Sequence, residues 1–240
     1  ARLKGLGDQV MGARLQELLG VVIPPVAVSF VDDVPEGVTF VEESALSGCS
    51  YWRQAAEGRV LATAPSDHYA CPVGAFTHGV ELPPEEAAGQ EQMIGMMVDL
   101  QYVTMEEVPE IPHRKEPFEA VIYAPLDQAP ATVDAVIVQG MPRQLMLLAE
   151  AATGAGVDGG PTMGRPTCAA IPEVMQASRF VTNLGCIGNR IYTGLGDDEL
   201  YVVLPGSQLD EITEKLETIV AANDALAEFH GGRVSEAACT

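Results

Sequence analysis

Basic residues are scarce in this chain. Against 34 Asp and Glu there are 13 Lys and Arg, a formal net charge of −21 over 240 residues. A surface of that sign repels phosphate backbones and anionic lipid headgroups, so neither nucleic acid nor a membrane is an expected partner. Long apolar runs are missing too, none approaching the roughly 18 residues that span a bilayer. The opening Ala1-Arg2-Leu3-Lys4-Gly5 lacks the apolar core of a signal peptide. The expected location is therefore the cytoplasm, unless a leader was removed ahead of residue 1.

Cysteine is thin on the ground as well. Five residues, an odd number, do not make the disulfide framework of a small secreted scaffold. No C-x-x-C occurs, which removes the signatures of a zinc ribbon, a ferredoxin and a covalent haem. P-loop, G-x-S-x-G and H-E-x-x-H motifs are absent. Gly154-x-Gly156-x-x-Gly159-Gly160 echoes a dinucleotide loop, but it follows a helical stretch where that fingerprint needs a strand.

What the chain does have is the composition of a globular protein, 47% apolar and 20% charged, with length for one large domain or two small ones. Apolar spacing predicts an opening helix over 6–19, with Leu6, Val10, Met11, Leu15, Leu18 and Leu19 on one face and Gly20 at its end. Strands are predicted at 26–30, 38–41, 60–64, 119–123, 136–138 and 200–205, and helices at 49–57, 84–100, 143–152 and 208–229. The methionines of the second helix, Met93, Met96 and Met97, read as core or subunit interface.

The order of elements before and after a proline-containing stretch, 108–117, is similar at offsets of roughly 93 to 97 positions, which places Cys71 opposite Cys168. The expected fold is α/β: two similar lobes from an internal duplication, 1–107 and 118–240, with mixed sheets flanked by helices and 108–117 as junction. One compact domain formed by both lobes is the alternative. A homodimer is the expected assembly.

Four motifs set a cysteine beside glycine or proline: Gly48-Cys49-Ser50-Tyr51-Trp52-Arg53, Ala70-Cys71-Pro72-Val73-Gly74, Pro166-Thr167-Cys168-Ala169 and Gly185-Cys186-Ile187-Gly188-Asn189-Arg190. Glycine lets backbone N–H groups approach a sulfur, and four thiolates can ligate an iron–sulfur cluster or one tetrahedral zinc. Single ligands from distant loops suit a cluster, expected as 4Fe–4S, better than zinc. Ordinary burial as small apolar residues is the plainer use of any one of them. Around these cysteines, His68 can act as acid or base near neutral pH, and Arg53 or Arg190 can bind a substrate carboxylate in bidentate fashion. His78 is the candidate axial ligand if the cofactor were haem.

Together with Asp67-His68-Tyr69-Ala70 and Asp197-Asp198-Glu199-Leu200, these motifs resemble a prokaryotic family catalogued as domain of unknown function 169, over about 24–216. The resemblance implies continuity of fold and a soluble location. The family's occurrence among archaea and anaerobic bacteria suits an oxygen-sensitive cofactor. The leading expectation is an iron–sulfur protein, a redox or Lewis-acid enzyme acting on a small molecule or serving an electron-transfer partner. The alternatives are a two-lobe module binding a small metabolite or haem, and a structural zinc protein.

Overall fold

The computed structural model describes residues 11–162 and 166–238. Leu6 and Val10 of the predicted opening helix, and Cys239, lie outside the described residues. The chain is α/β, with one mixed seven-stranded sheet flanked by helices. In chain order the main elements are α1 (Met11–Leu19), β1 (Val26–Val31), α2 (Cys49–Ala56), β2 (Leu61–Thr63), α3 (Pro72–His78), α4 (Pro84–Asp99), β3 (Ala120–Pro125) and β4 (Ala135–Gly140). There follow α5 (Pro142–Gly154), β5 (Gly159–Thr162), α6 (Ala170–Ala177), β6 (Phe180–Asn183), α7 (Ile187–Thr193), β7 (Leu200–Pro205) and α8 (Leu209–Ala238).

The strands lie in the order β2-β3-β1-β4-β7-β6-β5, antiparallel except for the β5–β6 pair. Every residue of β3 and β4 is buried, as expected for strands covered on both faces by helices. The segment 38–41, predicted as a strand, contributes only a bridge between Phe40 and Ala62. Phe40 is 45% exposed, so its apolar pattern gains little burial from joining the sheet.

Alternation along the strands sends successive side chains to opposite faces. Ala27, Val136, Val138, Val202 and Leu204 face a layer built from Leu15 of α1, Leu148 of α5 and Ile212 and Leu216 of α8. Each of those four fully buried side chains contributes roughly 1.5–3 kcal/mol relative to exposure. Val26, Val28, Ala135, Ile137, Tyr201 and Val203 face the other way, against Cys49, Tyr51 and Trp52 from α2 and Ile171 and Val174 from α6. Cys49 and Cys168 belong to this second layer.

The pairings repeat on either side of the central β1–β4 pair, which is centred on Ala27 opposite Val136. Val26 pairs with Pro125 at the end of β3, and Ala135 pairs with Pro205 at the end of β7. Leu61 of β2 pairs with Tyr123, and Val181 of β6 pairs with Val203. β3 follows the 108–117 stretch yet lies between β1 and β2, so the sheet is continuous across that stretch. Among the described residues, no helix is long and apolar enough to cross a membrane.

Candidate functional site

Each of the four cysteines stands where a helix begins. Cys49 is the first residue of α2, Cys71 and Cys186 precede α3 and α7, and Cys168 lies in the turn Thr167–Ala169 that leads into α6. The first N–H groups of a helix have no partner within it, so a sulfur placed there meets donors and the positive end of the helix dipole. At Cys186 one such contact is made, from the Asn189 N–H to Sγ at 3.5 Å. The Cys186 N–H in turn donates to the Thr167 hydroxyl at 2.6 Å, which ties the Cys186 loop to the Cys168 turn.

Glycines set these positions. A side chain at Gly74 would place its Cβ 2.9 Å from Cys71 Sγ, and Gly48 backbone lies against the same spot. Gly185 has φ +76°, and a Cβ there would meet Leu195 at 2.5 Å. Glycine alone satisfies both demands ahead of Cys186.

Cys49 and Cys168 are 5% exposed, while Cys71 and Cys186 are half-buried. Burial pushes the Cys49 thiol up to about 12, eased by Asn189 and raised again by Cys71 and Cys186 nearby. Cys168 is held well above the ordinary thiol range, by burial first and then by Cys49, Cys71 and Cys186. Cys49 and Cys168 are therefore electrostatic neighbours of each other and of Cys71 and Cys186. Among the described residues, however, no three His, Cys, Asp or Glu side chains are drawn together tightly enough to hold a metal ion as they stand. The Asn189 amide faces Cys49 from α7, although neither of its polar atoms makes a hydrogen bond of normal geometry. Thr77 faces Cys168 from α3 while its hydroxyl donates to the Gly74 carbonyl at 3.1 Å.

A buried polar wall adjoins the cysteines. The Thr63 hydroxyl donates to the Val121 carbonyl at 3.3 Å, so its 3.0 Å contact with His68 Nε2 assigns the proton to that nitrogen. His68 Nδ1 is then a bare acceptor; it has no partner and packs over Gly48. Burial lowers His68 to about 4, which makes it neutral and an acceptor near neutral pH. The same reasoning gives His78 the opposite tautomer: Nδ1 donates to Thr77 at 3.2 Å and Nε2 accepts from the Tyr123 hydroxyl at 3.1 Å. Both nitrogens of His78 are thus engaged, leaving none for an axial bond in this arrangement.

The two arginines stand differently. Arg190 donates to the carbonyls of Gly196 (2.7 Å), Leu184 (2.5 Å) and Glu199 (3.2 Å), clamping the loop between α7 and β7. Arg53 pairs with Glu57 at 2.8 Å and edges a narrow crevice with Trp52, Gln139 and Tyr201. A larger cleft of about 190 Å³ opens behind the Cys168 turn, lined by Glu107, Glu110, Glu173 and Pro166. Sequence reasoning found the cysteines and His68 but missed Thr63, Thr77 and Tyr123. The first and last of these sit in strands whose residues all read as core.

Fold and site together define an α/β protein with four cysteines, set at helix starts, gathered on one face of a mixed sheet. The chain belongs to the family catalogued as domain of unknown function 169 (DUF169), described as uncharacterised ArCR, whose model matches residues 14–215. It is similar to the uncharacterized protein MJ0308 of Methanocaldococcus jannaschii, 28% identical over 214 residues that cover 85% of this chain and 91% of that one. No solved structure matches the chain.

Proposed function

We propose that Cys49, Cys71, Cys168 and Cys186 hold an iron–sulfur cluster of the 4Fe–4S type, serving a redox or Lewis-acid reaction on a small molecule. The observation that carries this reading is that Cys49 and Cys168, each at a helix start, lie within electrostatic reach of each other and of Cys71 and Cys186 at two further helix starts. Left to themselves, buried thiols stay protonated and gain little. A cationic centre reverses that balance by deprotonating them and satisfying the sulfurs.

The donor set is soft, which suits iron–sulfur clusters and zinc over oxygen-seeking cations. Tetrahedral zinc would draw the sulfurs to about 3.8 Å from one another, given Zn–S bonds of about 2.3 Å. Simple burial accounts for Cys49 and Cys168 but gives no reason for the half-buried pair, Cys71 and Cys186, to stand beside them. His68 Nδ1, bare and unpartnered, is the group best placed to accept a hydrogen bond at such a site.

The reading includes a cytoplasmic setting, where thiols stay reduced. It also includes an internal duplication, divided differently from the 1–107 and 118–240 lobes read from the sequence: the repeated pairings around β1–β4 that support it set β3 with the first half. A homodimer would find faces in Met96 and Leu100 at α4, or in Leu226 and Phe229 on α8, all exposed in the single chain. Sedimentation velocity tests that part.

The decisive experiment is anaerobic purification with iron, sulfide and zinc quantified beside a visible spectrum. Near-stoichiometric iron and sulfide with broad absorption would support the cluster. Zinc alone, a sharp haem band, or failure to take up iron and sulfide on reconstitution would overturn it.

A further inference from the structure

The strand registers match β1 with β4, β2 with β6 and β3 with β7. Following the chain between matched strands brings α2, which begins with Cys49, against the turn and helix α6 that carry Cys168. Both lie between the first and second matched strands. It likewise makes α3, after β2, the counterpart of α7, after β6, and so Cys71 the counterpart of Cys186. This correspondence differs from the Cys71–Cys168 match suggested by sequence offsets.

Three features follow the same division. Cys49 and Cys168 are both 5% exposed, and Cys71 and Cys186 are both half-buried. α2 packs on α7 of the other half, and α3 packs on the Thr167–Ala169 turn of the other half. Each inner cysteine is faced by a polar side chain from the opposite half, Asn189 of α7 toward Cys49 and Thr77 of α3 toward Cys168, with Ser47 of its own half also beside Cys49.

We infer that the four cysteines are two equivalent pairs about an internal two-fold axis through the β1–β4 pair, an inner pair Cys49/Cys168 and an outer pair Cys71/Cys186. Each half supplies one inner and one outer thiol, so the cofactor is held by four thiols and not three. The inner sulfurs anchor it, and the outer edge, between Cys71 and Cys186, is where a substrate or an electron partner gains access. The pairing rests on the fold alone; the role of the pairs rests on the cluster reading.

Timed alkylation of the metal-free protein with iodoacetamide, under anaerobic reducing conditions and read peptide by peptide by mass spectrometry, separates the two. Cys71 and Cys186 should react within about 3-fold of each other and at least ~10-fold faster than Cys49 and Cys168, since the reagent must reach the sulfur. An inner cysteine reacting as fast as the outer ones, or an outer one as slow as the inner, would overturn the pairing. After reconstitution with iron and sulfide, all four should be protected. Protection of three alone would overturn the four-thiol arrangement. The expected pairs in free protein with no protection after reconstitution would leave the pairing standing and remove the cluster. In Cys→Ser variants, iron content should fall alike for Cys49→Ser and Cys168→Ser, and alike for Cys71→Ser and Cys186→Ser.

Discussion

His68 and His78 stack with ring centroids 4.8 Å apart and 29° between their planes, and they carry their protons on opposite nitrogens. Stacking two imidazoles inside a protein requires both to be neutral, since a charge on one would face the other in a medium that screens poorly. Burial supplies that condition: it lowers His68 to about 4 and His78 well below its ordinary value, where His68 and then Arg114 add to the effect.

The pH consequence has a definite sign. Below about pH 6.5 the unfolded histidines take up protons that the folded ones refuse, so stability falls as the pH drops from there toward 4. The His68 share is on the order of 3 kcal/mol. Urea denaturation at about pH 7 and about pH 4.5 should show a smaller acid loss in His68→Gln than in the unaltered protein. Equal losses would mean that His68 is not held neutral by burial.

Gly74→Ala should leave the sheet intact and disturb Cys71. The added methyl meets the sulfur at 2.9 Å, so the thiol must rotate away. A cost of about 1–2 kcal/mol in denaturation, typical of local overpacking, should accompany a changed alkylation rate at Cys71 with Cys186 unaffected.

Arg190→Lys should be costly despite keeping the charge. One ammonium cannot reach the three carbonyls that the guanidinium fork holds, and each abandoned carbonyl loses a charge-assisted bond. A loss of roughly 2–3 kcal/mol and faster amide exchange over 194–199 are expected. Unchanged stability would return Arg190 to the substrate-binding role read from the sequence.

Hydrogen exchange should divide the molecule sharply. α4 has no buried residue, and the second half of α8 is exposed along 224–237. Their amides should exchange through local opening, well before those of β1 and β4, which should require global unfolding. Comparable protection in α4 would require that a partner covers it in solution.

Much of this was legible in the residues. β3 and β7 are runs of β-branched and aromatic residues closed by proline, and α5 and α8 carry helical spacing long enough to reveal itself. β6 and α7 were missed because four and seven residues give periodicity too little length to register. The cysteines advertised themselves through glycine and proline. Their partners did not: Asn189 meets Cys49 only because α7 packs on α2, a contact made by two segments well over 100 positions apart.

The interleaving of strands also governs how the chain comes into being. β1 finds its neighbours in β3 and β4, both about a hundred residues further on. During synthesis, Val26-Ala27-Val28 emerges from the ribosome with both edges unpaired and waits until residue 140 has followed. An apolar strand in that position is a template for pairing with other chains, and its closure over so long a loop is slow. Yield in a cell should therefore depend on how well nascent chains are shielded, and supplying a chaperone that binds nascent chains should recover more protein than lowering the temperature of the finished molecule.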